Sequence, residues 1–344
     1  MNQEIQTPHA VVAEGLGKRY GEQWALREFD LTVPTGSVLG LLGHNGAGKT
    51  TAIRILTTLA SPTEGTAKVA GHDVVREPDQ VREHMGLTSQ AATVDGLMSG
   101  AANLEMIGRL YHLPRKVAQA RAKELLAELA LEDAADRLVK DYSGGMRRRL
   151  DLAASLVASP PVLFLDEPTT GLDPESRNEL WGMLRQLVGG GTTLILTTQY
   201  LEEADQLADD VVLLDHGKIV ATGSPDQLKA RHGGERIVVT VDGADDLGPA
   251  AEALEKVAAG TAEIDHEGLF VTAPASESTR LIEVVRVLED GGVDAHDVRR
   301  REATLDDVFF SLTSPRYRAA SNQTTETTNK TDTDNQTDRE EAAA

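Results

Sequence analysis

The stretch GHNGAGKTT at residues 43–51 constrains the fold more than any other part of the sequence. It directly follows the apolar run VLGLL at 38–42 and directly precedes a segment with helical spacing of apolar residues. Glycine, four residues, then glycine, lysine and threonine is typical of a loop that binds nucleotide phosphates between a strand and a helix. A glycine-rich turn without function is the alternative, but the strand and helix context favours the phosphate loop.

The chemistry of such a loop assigns a role to each residue type. Glycines let consecutive amides turn inward around phosphate oxygens, the Lys49 ammonium meets the outer phosphates, and the Thr50 hydroxyl is a ligand for Mg²⁺. The side chain of His44 is expected to face solvent without chemistry of its own. The predicted ATP-binding residues of the loop are Gly43, His44, Asn45, Gly46, Ala47, Gly48, Lys49, Thr50 and Thr51.

A pair of carboxylates follows another apolar run. PVLFLDEP at 161–168 carries four apolar residues into Asp166 and Glu167, so a buried strand is predicted to release both at its carboxyl end. Ligands of parallel sheets bind beyond that edge, and Gln90 and Gln199 also stand just beyond apolar runs. An ordinary strand-to-turn transition is the alternative. Beside a phosphate loop, Asp166 is predicted to hold Mg²⁺ through water, and Glu167 to polarise the water that attacks the γ-phosphate.

The sequence DYSGGMRRRL at 141–150 predicts the beginning of a helix. Ser143, Gly144 and Gly145 would leave the first helical amides uncovered, and a helix amino end with such amides favours an anion. Two interpretations of the three arginines that follow, 147–149, remain open. They lie on a solvated or salt-bridged face of the helix, or they contact the nucleotide directly.

Alternation of short apolar runs with amphipathic segments extends to about residue 232 and predicts an α/β domain with a mostly parallel, buried sheet. Gly233 and Gly234 end this region, so the domain is predicted to span 1–234. Residues 235–314 follow the order strand, helix, strand, strand, helix, strand, which is typical of a small ferredoxin-like α+β domain. The polar, Thr-rich residues 315–344 are predicted to be disordered.

Composition narrows the classes of function. The net charge of −21 opposes binding to nucleic acid, and the absence of cysteine excludes disulfides and thiolate metal sites. The N-terminus has no apolar core like that of a signal peptide, and no apolar run approaches the roughly 20 residues of a membrane helix. A soluble chain is therefore expected.

Together these motifs resemble those of the nucleotide-binding domains of ATP-binding-cassette (ABC) transporters, over residues 10 to about 230. The resemblance rests on the phosphate loop, LTSQ ending in Gln90, YSGGM at 142–146, LFLDEP and GLDP at 171–174. It implies a homodimer in which Ser143, Gly144 and Gly145 close over ATP held by a second, head-to-tail copy. It further implies roles for three residues outside the loop. Tyr20 would stack on adenine, Gln90 would bind Mg²⁺ and report to the membrane subunit, and Asp173 would cross the dimer interface.

One position departs from the family pattern, because Gln199 stands where most members have histidine. Glutamine can donate a hydrogen bond to the γ-phosphate but cannot carry positive charge or shuttle a proton. This substitution, with TTQYLEEADQLAD and TLDDVFFSLT at 304–313, resembles the ATPase subunits of daunorubicin and doxorubicin resistance exporters. That resemblance implies an ATPase at the cytoplasmic face of the membrane, bound to a separately encoded permease.

Alternatives remain at this stage. The chain could be an ATP-gated binding module in which Gln199 has abolished useful turnover. A cassette ATPase acting on DNA or ribosomes fits less well, since such proteins usually carry two cassettes or a long coiled coil. Lipid, glycan or peptide export would look the same as drug export in this chain, because the permease binds the cargo.

Overall fold

A computed structural model describes residues 9–89, 93–276 and 278–313. Contacts divide the chain into two compact units, Met1–Pro225 and Asp226–Ala344. Segment 226–234 therefore groups with the second unit. Gln90 and the tail 315–344, for which the sequence predicts a magnesium ligand and disorder, lie outside the described residues.

The first unit contains ten strands and seven α-helices among its described residues. The strands are β1 (His9–Tyr20), β2 (Gln23–Pro34), β3 (Val38–Leu42), β4 (Glu64–Val69), β5 (His72–Asp73), β6 (Met85–Thr88), β7 (Val162–Asp166), β8 (Thr193–Thr198), β9 (Asp210–Asp215) and β10 (Lys218–Gly223). The helices are α1 (Lys49–Leu56), α2 (Pro78–Glu83), α3 (Gly100–Leu110), α4 (Arg115–Glu128), α5 (Gly144–Leu156), α6 (Pro174–Gly189) and α7 (Leu201–Leu207).

A six-stranded sheet in the order β10-β9-β3-β8-β7-β6 forms the centre of the first unit. Every pair from β9 to β6 is parallel, and β10 joins the edge antiparallel to β9. Strands β3, β7 and β8 are buried along their whole length, as expected for a sheet that is covered on both faces. The predicted mostly parallel sheet is confirmed.

Side chains of the central strands alternate between two apolar cores. Phe164 and Ile195 pack with α1 and with a four-stranded antiparallel sheet, β2-β1-β4-β5. Leu163 and Leu165 pack on the opposite face with α3 to α6. The antiparallel sheet was not anticipated. Its longest strands hold 12 residues each, and burial alternates from Phe29 to Pro34 of β2, as expected for a sheet with one buried face.

The second unit contains four strands and four α-helices in its described part. They are α8 (Pro225–Leu228), which begins at the boundary, β11 (Glu235–Val241), α9 (Leu247–Glu255), β12 (Glu263–Asp265), β13 (Phe270–Ala275), α10 (Leu281–Asp290), β14 (Ala295–Glu302) and α11 (Leu305–Thr313). The strand order β12-β13-β11-β14 is antiparallel throughout. This is the predicted ferredoxin-like arrangement.

A charged cluster attaches α11 to this second sheet. Asp307 on α11 accepts hydrogen bonds from Arg301 at 2.6 and 3.1 Å, and its Oδ1 lies 3.3 Å from Nε of the buried Arg236. Burial alone would raise the pKa of Asp307. The hydrogen bonds from Arg301 and the Thr304 amide, with the charges of both arginines, outweigh burial and lower this pKa.

Across the described ranges, the helices are too short or too polar to cross a lipid bilayer.

Candidate nucleotide site and related proteins

The phosphate loop runs from the end of β3 into the first turn of α1, as predicted. Its backbone passes so close to its neighbours that two positions require glycine. A Cβ on Gly43 would lie 2.5 Å from the Leu214 carbonyl oxygen, and one on Gly48, at φ +113°, would lie 2.7 Å from the Ala25 carbonyl oxygen. The loop is therefore shaped by contacts on both sides, and not only by its own flexibility.

Backbone hydrogen bonds connect the loop to the β9–β10 turn and to β2. The Gly217 amide donates to the Ala47 carbonyl at 2.8 Å, and the Arg27 amide donates to the Gly217 carbonyl at 2.8 Å. Tyr20 belongs to the same neighbourhood, because it ends β1 and pairs with Gln23 at the start of β2. Tyr20 is 51% exposed, and Lys18 Nζ lies 5.2 Å from the centroid of its ring.

Lys49 folds back over the loop, with only 5% of the residue exposed. Its Nζ donates to the carbonyl oxygens of Gly43 at 2.5 Å and His44 at 3.2 Å. Burial lowers the pKa of Lys49, while the nearby charges of Glu167 and Asp166 oppose that shift. The loop lysine and the carboxylate pair therefore lie within electrostatic reach of each other.

Asp166 is the last residue of β7 and is buried, and Thr197 on β8 donates its hydroxyl to Asp166 Oδ1 at 2.5 Å. Glu167 follows with φ +51°, a left-handed conformation that is strained for a side chain of this kind. Its amide donates to the Thr197 carbonyl at 3.0 Å. Backbone strain of about 1–3 kcal/mol persists where the surroundings enforce it, and such residues cluster at functional sites.

Arg148 holds the strained backbone at Glu167 in place through hydrogen bonds. Its guanidinium donates to the carbonyl oxygens of Pro168 at 2.6 Å, Glu167 at 2.7 Å, Ser89 at 3.0 Å and Asp166 at 3.1 Å. Burial lowers the pKa of Arg148, against the charges of nearby carboxylates. The expectation of a solvated or salt-bridged arginine is wrong for this residue. Three consecutive arginines in a helix carry no local signal for which of them makes such long-range contacts.

The two neighbouring arginines differ from Arg148. Arg147 is exposed and donates to the carbonyl oxygens of Val139 and Lys140. Arg149 lies 3.7 Å from the Glu179 carboxylate, which is the salt-bridged alternative for these arginines. Only the middle arginine of the three reaches the residues after β7.

The Ser143 turn begins α5 as predicted. Ser143 is the N-cap residue, and its Oγ accepts a hydrogen bond from the Met146 amide at 3.2 Å. The first bond along the helix runs from the Arg147 amide to the Ser143 carbonyl at 3.0 Å. The amides of Gly144 and Gly145 precede that bond, at the positive end of the helix dipole.

Asp173 stands close to this turn. It caps α6 by accepting hydrogen bonds from the Ser176 amide and hydroxyl at 2.9 and 2.8 Å. These bonds lower the pKa of Asp173. A Cβ on Gly145 would lie 2.8 Å from Ser176 Oγ, so the starts of α5 and α6 are in contact. Ser143, Gly144 and Asp173 are all exposed on this surface.

Gln199 is exposed just beyond the end of β8. Four residues later, the buried Glu203 on α7 accepts a hydrogen bond from Trp181 Nε1 at 3.2 Å, and burial raises the pKa of Glu203.

Gln90 itself lies outside the described residues, but Thr93, three positions later, is described. The Thr93 amide donates a hydrogen bond to Asp151 on α5 at 2.8 Å.

The predicted site residues thus fall into two groups among the described residues. The phosphate loop, Asp166, Glu167 and Gln199 stand at the carboxyl edge of the central sheet. The Ser143 turn and Asp173 form the second group, at the contacting starts of α5 and α6. Helix α5 connects the groups, since it carries the second group at its beginning and Arg148 further along.

Comparison with known proteins gives relatives of nearly full length. Residues 26–170 match the family described as ABC transporter. The daunorubicin resistance ATP-binding protein DrrA2 of Streptomyces coeruleorubidus is 53% identical, over 90% of this chain and 96% of that protein. The Nod factor export ATP-binding protein I of Ralstonia nicotianae is 38% identical, over 89% of this chain and 94% of that protein.

A solved structure of an ATP-binding subunit of an ABC transporter also resembles this one. The TM-score is 0.59 at 25% identity, and the match covers 65% of this chain and 93% of that chain. Because close relatives match along almost their whole length, the family assignment does not depend on the phosphate loop alone. The chain belongs to the ATP-binding proteins of the ABC transporter family, in the group that includes the daunorubicin resistance proteins.

Proposed function

We propose that this ABC ATPase forms a head-to-tail homodimer around two Mg-ATP molecules and thereby drives a separately encoded membrane permease that exports a drug-like molecule. The observation that carries the proposal is the separation of the site into two groups. One group offers a phosphate loop with catalytic carboxylates, and the other offers exposed helix-start amides with Asp173. The second group supplies an anion site that a partner copy can use.

Within one pocket, each residue has a distinct task. Lys49 balances charge on the outer phosphates, and the strained Glu167 is positioned to polarise the attacking water. Gln199 donates an amide hydrogen bond to the γ-phosphate but transfers no proton. General base catalysis therefore depends on Glu167, because its neighbour at the end of β8 cannot replace it.

The donor set at the sheet edge suits Mg²⁺. This ion prefers oxygen ligands and keeps several waters. The Thr50 hydroxyl is exposed at the start of α1, and the Asp166 carboxylate has one oxygen held by Thr197. When bound, Mg²⁺ would neutralise phosphate charge. Thr50 and Asp166 are the described residues that would hold it, together with Gln90 from outside the described ranges.

A groove lined by residues of α2, β6, α3 and α5 supports a permease-binding surface. It holds about 410 Å³, and its lining combines apolar side chains such as Met85, Ile107 and Leu110 with the polar residues Arg82, Thr93 and Ser155. Leu110 and Tyr111 of this groove are 71% and 39% exposed, so apolar surface is open to a partner here. Helix α5 contributes Ala154 and Ser155 to the groove and Arg148 to the backbone of Glu167, so the groove and the carboxylate pair share one helix as support.

The dimer is tested with the Glu167→Gln variant, which should bind ATP without turnover. With saturating Mg-ATP it should elute as a dimer in light scattering, and with Mg-ADP as a monomer. Gly144→Glu should abolish the ATP-dependent dimer in this background, because the new carboxylate occupies the anion site. A Cβ at Gly144 meets nothing within 4 Å, so the fold tolerates the change.

Gly189→Glu is the matched control, because Gly189 on α6 also has open space around it. It should leave the ATP-dependent dimer intact. A Glu167→Gln protein that stays monomeric under saturating Mg-ATP would refute the sandwich dimer.

The cargo is tested in inverted membrane vesicles that contain the chain with its permease. A 53% identical relative named for daunorubicin resistance favours ATP-dependent uptake of an anthracycline, abolished by Lys49→Ala. A relative named for Nod factor export is more distant, at 38% identity. ATP hydrolysis that is stimulated by the permease but moves no anthracycline would assign a different cargo.

Gln199 supports a second candidate, an ATP-gated switch with little turnover. Phosphate release is the discriminating measurement, on the wild-type chain with its permease in a membrane. A rate equal to that of Lys49→Ala favours the switch, and a rate well above it favours the ATPase motor. Gln199→His should then raise the rate only if proton shuttling limits hydrolysis.

A further inference from the structure

Three potential metal ligands meet where the phosphate loop touches the β9–β10 turn. They are His44 on the loop, Asp215 at the end of β9 and His216 on the turn, and one ligand atom of each lies within 4.8 Å of the others. His44 Nε2 is 2.8 Å from Asp215 Oδ1, and His216 Nε2 is 3.8 Å from the same oxygen. Asp215 is buried, whereas His44 is part-exposed and His216 is 67% exposed, so solvent reaches the cluster from one side.

The hydrogen bonds of His44 determine which of its nitrogens can bind a cation. His44 Nδ1 lies 2.7 Å from the Asn45 carbonyl oxygen, and since a carbonyl only accepts, Nδ1 must carry the proton. In the neutral ring, Nε2 then has a bare lone pair that faces the Asp215 carboxylate at 2.8 Å. Two acceptors at this distance repel each other unless a positive charge lies between them. A proton or a metal ion supplies that charge.

The arrangement matches a metal-binding histidine in a second respect. Histidine ligands almost always donate their other ring N–H to a carbonyl or carboxylate, which fixes the tautomer. In His44, the Asn45 carbonyl oxygen accepts this hydrogen bond from Nδ1. Two ligands of a tetrahedral Zn²⁺, each about 2.0–2.1 Å from the metal, lie roughly 3.3 Å apart. The distances from Asp215 Oδ1 to the two imidazoles, 2.8 and 3.8 Å, are on either side of that value. The two imidazoles offer nitrogens within 4.8 Å of each other, so side-chain movements of up to about 1.5 Å complete the geometry.

We propose that His44, Asp215 and His216 form a transition-metal site of the zinc type, which ties the phosphate loop to the β9–β10 turn. Two imidazoles and one carboxylate favour Zn²⁺, Co²⁺ or Ni²⁺ over Mg²⁺ and Ca²⁺, which prefer oxygen ligands. The site is distinct from the predicted magnesium position at Thr50 and Asp166. The bound metal would be a second link between the phosphate loop and the β9–β10 turn, beside the hydrogen bond that the Gly217 amide donates to the Ala47 carbonyl.

Metal binding at this site is expected to act on the conformation of the loop. His44 follows Gly43 directly, and the Lys49 ammonium donates to the carbonyl oxygens of both residues. A metal that fixes the His44 side chain therefore restrains the backbone that Lys49 contacts. Bound Zn²⁺ should raise the midpoint of thermal unfolding of the full chain, because it binds a folded arrangement that brings His44 to Asp215 and His216, about 170 positions further along the chain.

The test is isothermal titration of Zn²⁺ into the tag-free full chain, without nucleotide, with thermal unfolding as a second readout. The wild type should bind one Zn²⁺ that Mg²⁺ does not displace. His216→Asn should weaken binding at least ten-fold, since even the loss of an outer-shell partner costs about 10–100-fold. His216 is largely exposed, so this variant removes a ligand without disturbing the core.

His296→Gln is the matched control, because His296 also pairs with a carboxylate, Asp242 at 3.3 Å, but on an exposed surface. It should bind Zn²⁺ as the wild type does. The proposal is overturned if His216→Asn and His44→Asn both retain the wild-type Zn²⁺ affinity, or if the wild type binds no Zn²⁺. Because no nucleotide is present, neither result depends on whether the chain hydrolyses ATP or dimerises.

Discussion

Replacement of Arg148 by methionine tests whether one side chain holds the backbone of the catalytic edge. Arg148 donates four hydrogen bonds, to the carbonyl oxygens of Ser89, Asp166, Glu167 and Pro168. Methionine keeps the length and most of the apolar packing of the arginine stem but donates none of these bonds. The change therefore isolates the hydrogen bonds from the packing.

The expected loss of stability follows from the number of bonds. At a net value of about 1 kcal/mol each, four bonds give about 4 kcal/mol as an upper value, and water reaching the freed carbonyls reduces this to roughly 2–4 kcal/mol. In a domain of about 150–250 residues, 1 kcal/mol moves the unfolding midpoint by about 2–4 °C. Arg148→Met should thus lower the midpoint by about 5–15 °C.

Catalysis should be affected more than ATP binding. Without the bonds from Arg148, Glu167 can relax from its strained φ of +51°, which moves its carboxylate away from the attacking water. A displacement of about 1 Å can cost about 100-fold in rate. The kcat for ATP should fall at least ten-fold while KM changes little, because Arg148 makes no bond to the phosphate loop in its described contacts. Arg148→Lys, with positive charge but no planar fork, should be intermediate.

Arg149→Met is the matched control on the same helix. Arg149 makes one long hydrogen bond of 3.5 Å and an ion pair of 3.7 Å with Glu179, so its loss should cost about 1 kcal/mol or less. Differential scanning calorimetry and steady-state phosphate release compare the two variants. If Arg148→Met matches Arg149→Met in both measurements, the bonds to the carbonyl oxygens do not position Glu167.

Two further predictions concern the phosphate loop and the second unit. Gly43→Ala should abolish ATP binding in a fluorescent-nucleotide titration, because its Cβ would lie 2.5 Å from the Leu214 carbonyl oxygen, whereas Gly189→Ala, with open space around it, should bind normally. Asp307→Asn should lower the unfolding midpoint at pH 7. Since the folded-state pKa of Asp307 lies below its unfolded value of about 3.9, its stabilisation is complete above about pH 4 and disappears as the pH falls through the folded-state pKa. The difference in unfolding midpoint between Asp307→Asn and the wild type should therefore disappear at acid pH. A difference that stays constant from pH 7 to pH 2 would contradict the stabilising role of the Asp307 carboxylate.

Much of the architecture was predictable because its signals are local. A five-residue apolar strand before Gly43 and a helix after it require no knowledge of distant residues. The same holds for the strand that ends at Asp166 and for the order of elements after residue 235. The antiparallel sheet of β1, β2, β4 and β5 was missed, since its longest strands contain several charged residues and its pairs depend on which surface each strand meets.

Sequence alone determined the phosphate loop, the Ser143 helix start, the carboxylates after β7 and the family, because each is written in contiguous residues whose backbone geometry follows from their types. Tertiary structure alone decided that Arg148 supports Glu167 and that His44 meets Asp215 and His216. Those contacts join residues 19 and 171 positions apart. Both contacts depend on the order of the strands in the central sheet and on how α5 packs against that sheet. No short stretch of the sequence predicts either of these.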